Sequence, residues 1–588
     1  MYTTLQNQYA AKNNNLKNSF NAISILRLIT TMVFFACLYY YFKTDIILFL
    51  IANIVTIFIF TFLTIWHKNI GWQKKIAAQL LIININEQNF LNYNYLPTNN
   101  GHQFIDAQHL YSYDLDIFGP NSLYHNFNRA STYIGAQKLA DAFKTLLNPH
   151  EIIYNQNAIK ELTLKITWRQ NFLALGCLAN DNEGQYKKLI QWVNTETKKL
   201  NIFFKVIIYA IPLLFFVGVL LFFITNNIYF KRWATIAFFT NLFILISQLG
   251  KIKLALSSFS NIANSIKHYG LIIKKIEDET FEAAHLIKLQ NGLKSNGNKA
   301  SAALKKLAAA FKKIDGISNP LAAIPINGSM LYHLHAFFTL QNWKKNNALH
   351  LKNWLNIIGE FEALNCLANF SFNNKNFIYP ALNNSNIINF TALGHPLIKQ
   401  KVRVCNNVSF NPNKFIILTG SNMSGKSTFL RTLGVNMVLA GMGAPVCALS
   451  ASIHPLQVIV SMRQTDSLTN SESYFFAEIK RLKQIMYTLN TTPCFVLLDE
   501  ILKGTNSDDK QMGTIGVLKK MAAKNTQGVM ATHDLEVCTT VTYYPKNLVN
   551  NCFEVEIVNN ELVFDYMLKE GICKNKSATF LLNKFEII

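Results

Sequence analysis

The run Ile46–Trp66 carries no charged residue and is apolar on every face, and this constrains the fold of the chain more than any other feature. A surface helix keeps a polar side, so a helix without one is packed by protein all round or surrounded by lipid. Crossing a bilayer takes about 20 mostly apolar residues. Ile46–Trp66 and Val206–Thr225 reach that length alone, whereas Leu28–Phe42 and Trp233–Leu249 are shorter. Each shorter stretch lies beside a long one, across Lys43-Thr44-Asp45 or across Asn226–Arg232. The pattern predicts two transmembrane helical hairpins.

Lys12, Lys17, Lys74, Lys75, Lys198, Lys199, Lys251 and Lys253 fall on one side of these hairpins, and the positive-inside rule then puts both termini in the cytoplasm. Lys231 and Arg232 fall on the other side. The first stretch has no small-residue cleavage site after it, so removal as a signal peptide is not expected. The expected location is the cell (inner) membrane, multi-pass, with the polar remainder in the cytoplasm.

Half of the residues are hydrophobic and only 15% are charged, an apolar balance for a soluble protein. The net charge of +23 fits nucleic acid or an anionic membrane face, or a coding bias toward Lys, Asn and Ile. Lys305-Lys306 and Lys312-Lys313 read either as phosphate contacts or as a solvated helix face. Nine Cys scattered from Cys37 to Cys573 without a CxxC pair argue against a zinc ribbon and against a disulfide framework.

With 588 residues the chain exceeds the ~250–300 that one core supports, so several domains are expected. The predicted order is a tail and first hairpin over 1–66, a helical segment over 67–202, the second hairpin over 203–250, further long helices over 251–374, and an α/β domain over 375–588. Apolar periodicity marks Ala136–Leu147 and Ala158–Phe172 as helical, and Gly119-Pro120-Asn121-Ser122 punctuates the segment. Breaks are expected near Ser295-Asn296-Gly297 and Ser318-Asn319-Pro320.

The α/β domain opens with a predicted strand, Phe415–Thr419, then Gly420-Ser421-Asn422-Met423-Ser424-Gly425-Lys426-Ser427-Thr428, then a helix to about Leu439. This order suits triphosphate binding. Backbone N–H groups of the loop and helix start surround phosphate oxygens, Lys426 reaches the β- and γ-phosphates, and Ser427 offers its hydroxyl to Mg²⁺. A second apolar strand, Cys494–Leu498, ends in Asp499-Glu500. We assign Asp499 to the metal and Glu500 to polarising the attacking water. A third strand, Gly528–Thr532, delivers His533 to sense the γ-phosphate. The implied ligands are ATP and Mg²⁺.

Thr419–Arg431, TGSNMSGKSTFLR, resembles the phosphate loop of the MutS mismatch-repair ATPases, including the Asn-Met pair that ordinary P-loops lack. Asp499-Glu500-Ile501 with Gly504-Thr505, and Ala531-Thr532-His533, resemble that family's second and third motifs. Ser473-Tyr474-Phe475 with Glu478 resembles its Ser-Thr-Phe signature, and this implies that Ser473 reaches the partner's γ-phosphate across a homodimer of ATPase domains. Asp116-Ile117-Phe118-Gly119, Asn121-Ser122-Leu123 and Asn128-Arg129 resemble the start of the family's helical core, and His395-Pro396 its ATPase entry motif. In this sequence Ser421 stands where the family usually has Pro, Leu502-Lys503 replace a Gly-Arg pair, and the loop before Ser473 is short.

The resemblance covers roughly Leu115–Arg169 and Leu393 to the C-terminus. Membrane hairpin stands where the family has its mismatch-reading domain, so mismatch recognition in the family's usual way is not expected. The expected fold is therefore α-helical membrane hairpins and a helical core and lever region, followed by an ABC-like P-loop ATPase domain. The expected function is a membrane-anchored dimeric ATPase whose helical arms grip a partner, DNA by resemblance alone. The alternatives are an ABC-class transporter, against which the missing Leu-Ser-Gly-Gly-Gln signature speaks, and an assembly-switch ATPase without DNA binding.

Overall fold

Helices α1 (Tyr2–Thr44) and α2 (Ile47–Tyr93) form the first hairpin, closed by Asp45 in the left-handed conformation (φ 52°). The computed structural model describes residues 1–93, 98–195, 202–256, 262–295, 297–315, 320–463, 474–558 and 561–573. At ~1.5 Å per residue these helices of 43 and 47 residues run to about 65–70 Å, roughly twice a hydrocarbon core of about 30 Å. The apolar stretches Leu28–Phe42 and Ile46–Trp66 are therefore the distal half of a longer pair, and α2 passes residue 66 without a break. In the proximal half Tyr2, Leu5 and Tyr9 pack with Leu80, Ile83 and Ile166, so that end is held by protein.

The second hairpin is α3 (Ile202–Thr225) and α4 (Ile228–Leu256), turned at Asn226 (φ 49°). Among the described residues four helices are long and apolar enough to cross a membrane, and their apolar windows are mostly exposed, as at Phe58 (72%) and Phe243 (72%). Lys231 and Arg232 lie in the first turns of α4 rather than in a loop.

A short apolar helix, α5 (Pro320–Met330), and a 42-residue helix, α6 (Tyr332–Asn373), follow. Helix α6 is the axis of the helical region. Tyr133–Lys144, Pro149–Leu164 and Ala300–Asp315 pack along it around Phe127, Phe172, Trp354 and Phe361. The periodic stretch Ala158–Phe172 proves to be two helices, because Lys165 (φ −89°, ψ 48°) ends Pro149–Leu164 before Ile166–Cys177 begins. Ile152, Ile159, Leu162, Ile166 and Arg169 are buried at helical spacing, so periodicity runs through the break. Gly119 (φ 112°) and Asn121 (φ 57°) make the predicted punctuation, and Ser122 caps the next helix. A two-strand turn, Lys294–Ser295 with Asn298–Lys299, stands at the first expected break; residues 316–319 of the second lie outside the described residues.

Buried charges on α6 and α2 tie the helical region together. The Glu362 carboxylate accepts from the backbone and hydroxyls of Ser131 and Thr132. Burial pushes it up to about 7. Arg129 pairs bidentately with Glu87 of α2, which also accepts from Asn369 and Asn373 of α6. A buried pair survives desolvation only with such supporting hydrogen bonds. Tyr2 donates to Asn373 at 2.8 Å, so the start of α1 is fixed to the end of α6.

Among the described residues the C-terminal region holds ten strands in two sheets: β1 (Ala381–Leu382), β2 (Ile388–Leu393), β3 (Asn406–Phe410), β4 (Phe415–Gly420), β5 (Ser450–Ile453), β6 (Gln457–Ser461), β7 (Cys494–Asp499), β8 (Gln527–Ala531), β9 (Leu548–Val558) and β10 (Glu561–Glu570). The larger sheet has the order β10-β9-β4-β8-β7-β6, parallel except for β10, and the smaller has the order β1-β5-β2-β3. Strands β4, β7 and β8 are buried along their length apart from Asp499, as parallel strands covered on both faces must be. Helices α7 (Lys426–Gly441), α8 (Tyr474–Thr491) and α9 (Ser507–Ala523) complete this α/β domain.

Candidate functional site

Strands β4, β8 and β7 are neighbours and parallel, so their C-terminal ends open at one edge, where open α/β sheets bind ligands. Gly420 ends β4, Asp499 ends β7 in register with Ala531, and His533 follows β8. Three motifs, the first and last more than 100 residues apart, thus meet at one place.

The loop from Ser421 to Gly425 turns through Met423 (φ 67°) and Gly425 (φ 99°) into α7. Both are left-handed, which is cheap for glycine and costly for Met423. A side chain on Gly425 would meet the ring of Tyr566 at 3.0 Å. Asn422, Met423, Ser427 and Thr428 are exposed, whereas Ser424 and Lys426 are buried. The Lys426 amine donates to the carbonyls of Gly420 and Ser421, both at 2.9 Å, and burial lowers its proton affinity.

The polar atoms the site leaves over suit a phosphate, to which the hydroxyls can donate, and a cation, which the carboxylate can hold. Asp499 Oδ1 and the hydroxyls of Ser421 and Ser424 are buried with no hydrogen-bond partner among the described residues. Orphaned groups of this kind cost free energy unless a ligand satisfies them. Asp499 with the exposed Ser427 hydroxyl fits Mg²⁺, which takes oxygen donors.

Glu500 is held in the left-handed conformation (φ 51°) with its N–H on Ala531 O. Its carboxylate lies 2.7 Å from His533 Nε2 and 3.1 Å from Lys503 Nζ. The hydrogen bond to His533 pulls it down to about 2 against the opposing effect of burial, with Lys503 adding to the lowering. Lys426 Nζ also lies 3.3 Å from His533 Nε2. One ring nitrogen cannot donate to Glu500 and accept from Lys426 together, and the shorter contact assigns its proton to Glu500.

Leu502 is also left-handed (φ 63°) and buried, at the position where the resembled motif has Gly. Glu478 on α8 accepts from the backbone N–H groups of Leu502 and Lys503, so the first turns of α8 and the turn after β7 are joined. Ser473 itself lies outside the described residues.

The helical region touches the site directly. Asp116 forms ion pairs with Arg431 of α7, at 3.3 Å, and with Arg463. Asp114 accepts from the N–H groups of Met462 and Arg463, and Leu115 packs on Gly434. The two stretches Leu115–Arg169 and Leu393 onward, far apart in sequence, are thus in contact beside the P-loop helix.

Tyr566 went unnoticed in the sequence. It sits on the antiparallel edge strand β10, is 42% exposed, and stacks with Phe564 at 6.0 Å and 19° beside Gly425. An aromatic residue in an edge strand carries no local signal for this position, which depends on β10 folding back over β9.

This domain is an α/β P-loop ATPase in architecture. The model for MutS domain V, an ABC-like ATP-hydrolysing domain, matches residues 416–582, and the C-terminal region carries that domain. Among relatives, the chain is 28% identical over 194 residues to MutS protein homolog 4 of Homo sapiens, covering 31% of this chain and 20% of that protein. It is 31% identical over 219 residues to the DNA mismatch repair protein MutS of Wolbachia pipientis wMel, covering 37% and 25%. Against the DNA mismatch repair protein MutS of Prochlorococcus marinus (strain AS9601) the identity is 32% over 248 residues, covering 40% and 27%. The chain thus spans about a quarter of the length of the curated relatives it matches.

Proposed function

We propose that this chain is a membrane-anchored ATPase that uses ATP binding and hydrolysis to switch the disposition of its helical arms. The observation that carries this reading is α6. One end of that helix packs near α3 and α4, and its other end, at Asn373, leads within a few residues into the small sheet of the ATPase domain. An unbroken helix of about 63 Å transmits rigid-body movement between such ends.

In the proposed site the loop N–H groups and Lys426 hold the β- and γ-phosphates, and Ser427 with Asp499 holds Mg²⁺. Bound Mg²⁺ would neutralise charge developing on the phosphates. Glu500 orients and deprotonates the attacking water, and His533 donates to Glu500 at rest and turns to the γ-phosphate when nucleotide binds. The exposed face of Tyr566 is placed to stack on the nucleobase. ATPase domains of the MutS type dimerise, and in this reading Ser473 of one copy completes the site of the other.

In this reading the protein is multi-pass in the inner membrane with both termini in the cytoplasm, supported by four long apolar helices among the described residues and by the positive-inside rule. DNA is the partner suggested by the names of the MutS relatives. The test is ATP hydrolysis and duplex binding, with and without a mismatch, by the protein in nanodiscs across salt and nucleotide conditions. Salt-sensitive binding that changes with nucleotide supports DNA as the partner. ATP turnover without any duplex binding favours an assembly switch, and absence of turnover overturns the ATPase reading.

A further inference from the structure

From Pro320 to Trp343 the sequence contains no Asp, Glu, Lys or Arg. In the fold this stretch is α5 and the start of α6, joined by a sharp turn at Leu331 (φ 48°). Helix α5 packs along α4 and α3. Its Gly328 is so close to Phe238 that a side chain there would meet the Phe238 ring at 2.2 Å. Phe238 lies about 16 Å along α4 from the Asn226-Asn227 turn at ~1.5 Å per residue, well inside a hydrocarbon core of about 30 Å. On the return arm, His335 packs against Tyr209 of α3, with ring centroids 4.7 Å apart.

The turn is built as lipid requires. Irregular backbone at membrane depth must find its hydrogen bonds within protein, because water is absent. Asn327 is fully buried, donates to Ala323 O and accepts from His333 N–H. Its own carbonyl accepts from Leu331 N–H, and the Gly328 carbonyl accepts from Asn241 of α4 at 2.8 Å. Apolar side chains around α5 are meanwhile open: Leu321 is 88% exposed, Ile324 52% and Met330 49%.

We propose that α5 and the first turns of α6 form a re-entrant membrane segment, with lipid acyl chains covering Leu321, Ile324 and Met330. With 11 residues α5 spans about 16 Å, which is too short to cross and long enough to enter and turn back. The charge-free run Pro320–Trp343 packs on α3 and α4 at Tyr209, Phe238 and Asn241, and its exposed apolar side chains adjoin the exposed apolar windows of those helices, which selects lipid as the occupant. The inference rests on the reading of α3 and α4 as a transmembrane hairpin. It would place the far end of the α6 lever in the bilayer itself.

The test uses the full chain in phospholipid nanodiscs with photoreactive benzoylphenylalanine at Leu321, Ile324, Phe239 or Leu349. Phe239 is a 63% exposed position on α4, and Leu349 is a 93% exposed position on α6, about 26 Å from its start at ~1.5 Å per residue. Lipid adducts at Leu321 and Ile324 matching those at Phe239, at least about tenfold above Leu349, are expected for a lipid-covered face. Adducts at Phe239 without adducts at Leu321 and Ile324 overturn the re-entrant segment alone. Adducts to protein at Leu321 and Ile324 overturn it in favour of an interface between chains. Lipid adducts at none of the positions overturn the hairpin reading and this inference with it.

Discussion

Glu500 Oε1 lies 2.7 Å from His533 Nε2, and these residues follow the ends of adjacent parallel strands. The contact keeps the proposed base ionised and holds the proposed phosphate sensor in one tautomer. Glu500→Gln is expected to retain ATP binding and to slow hydrolysis by about 10²–10⁴-fold, since an amide hydrogen-bonds water but does not take its proton. Single-turnover hydrolysis with a parallel nucleotide-binding measurement checks both halves; unchanged turnover would move the base elsewhere.

The same contact fixes a pH dependence. Glu500 is lowered to about 2 by His533 first, with Lys503 assisting. Its lowered value means that the ionised base persists far into acid, and the Glu500-dependent acidic limb of hydrolysis should lie well below the usual carboxylate range near ~4.3. Lys503→Ala should move that limb upward. A pH–rate profile in which the variant and the parent coincide would dissociate Lys503 from the base.

Lys426→Ala is expected to abolish tight ATP binding, because it removes the point charge facing the β- and γ-phosphates. Equilibrium binding of a fluorescent ATP analogue measures this. Retained affinity would contradict the phosphate-site assignment.

Mixing Ser473→Ala subunits with Lys426→Ala subunits tests action across a dimer, since only the heterodimer contains one intact composite site. Partial recovery of ATPase activity is expected. No recovery from heterodimers verified by tag pull-down would favour a self-contained site.

Glu362 is raised to about 7 by burial, against the opposing hydrogen bonds from Ser131 and Thr132. A carboxyl raised on folding binds more protons folded than unfolded, so its stabilisation is present below about 4.5 and is lost as pH rises through about 7. The shift corresponds to about 3 kcal/mol. Thermal unfolding in detergent across this window should have a falling component that Glu362→Gln lacks. Parallel curves for the two proteins would mean that Glu362 stays ionised throughout.

The sequence alone determined the parts whose physics is local. Ile46–Trp66 has no polar face, so it had to be a helix in lipid or a fully buried one. The loop Gly420–Ser427 between an apolar strand and a helix had to expose backbone N–H groups, which is why the phosphate-site residues were legible before any fold was known. Even the departure at Leu502 was visible, although its left-handed backbone was not.

Tertiary structure decided what depends on neighbours distant in sequence. No local pattern says that Arg129 pairs with Glu87 of α2, that Asp116 meets Arg431, or that Glu478 supports the turn carrying Glu500. Pro320–Met330 fell unmarked within the long helices expected over 251–374, because its apolar side chains acquire meaning only when Asn241 and Phe238 place it against the second hairpin. Tyr566 reaches Gly425 only because the chain reverses between β9 and β10. Periodicity and motif spacing record how a segment meets its immediate surroundings; which surfaces become those surroundings is set by packing the whole chain.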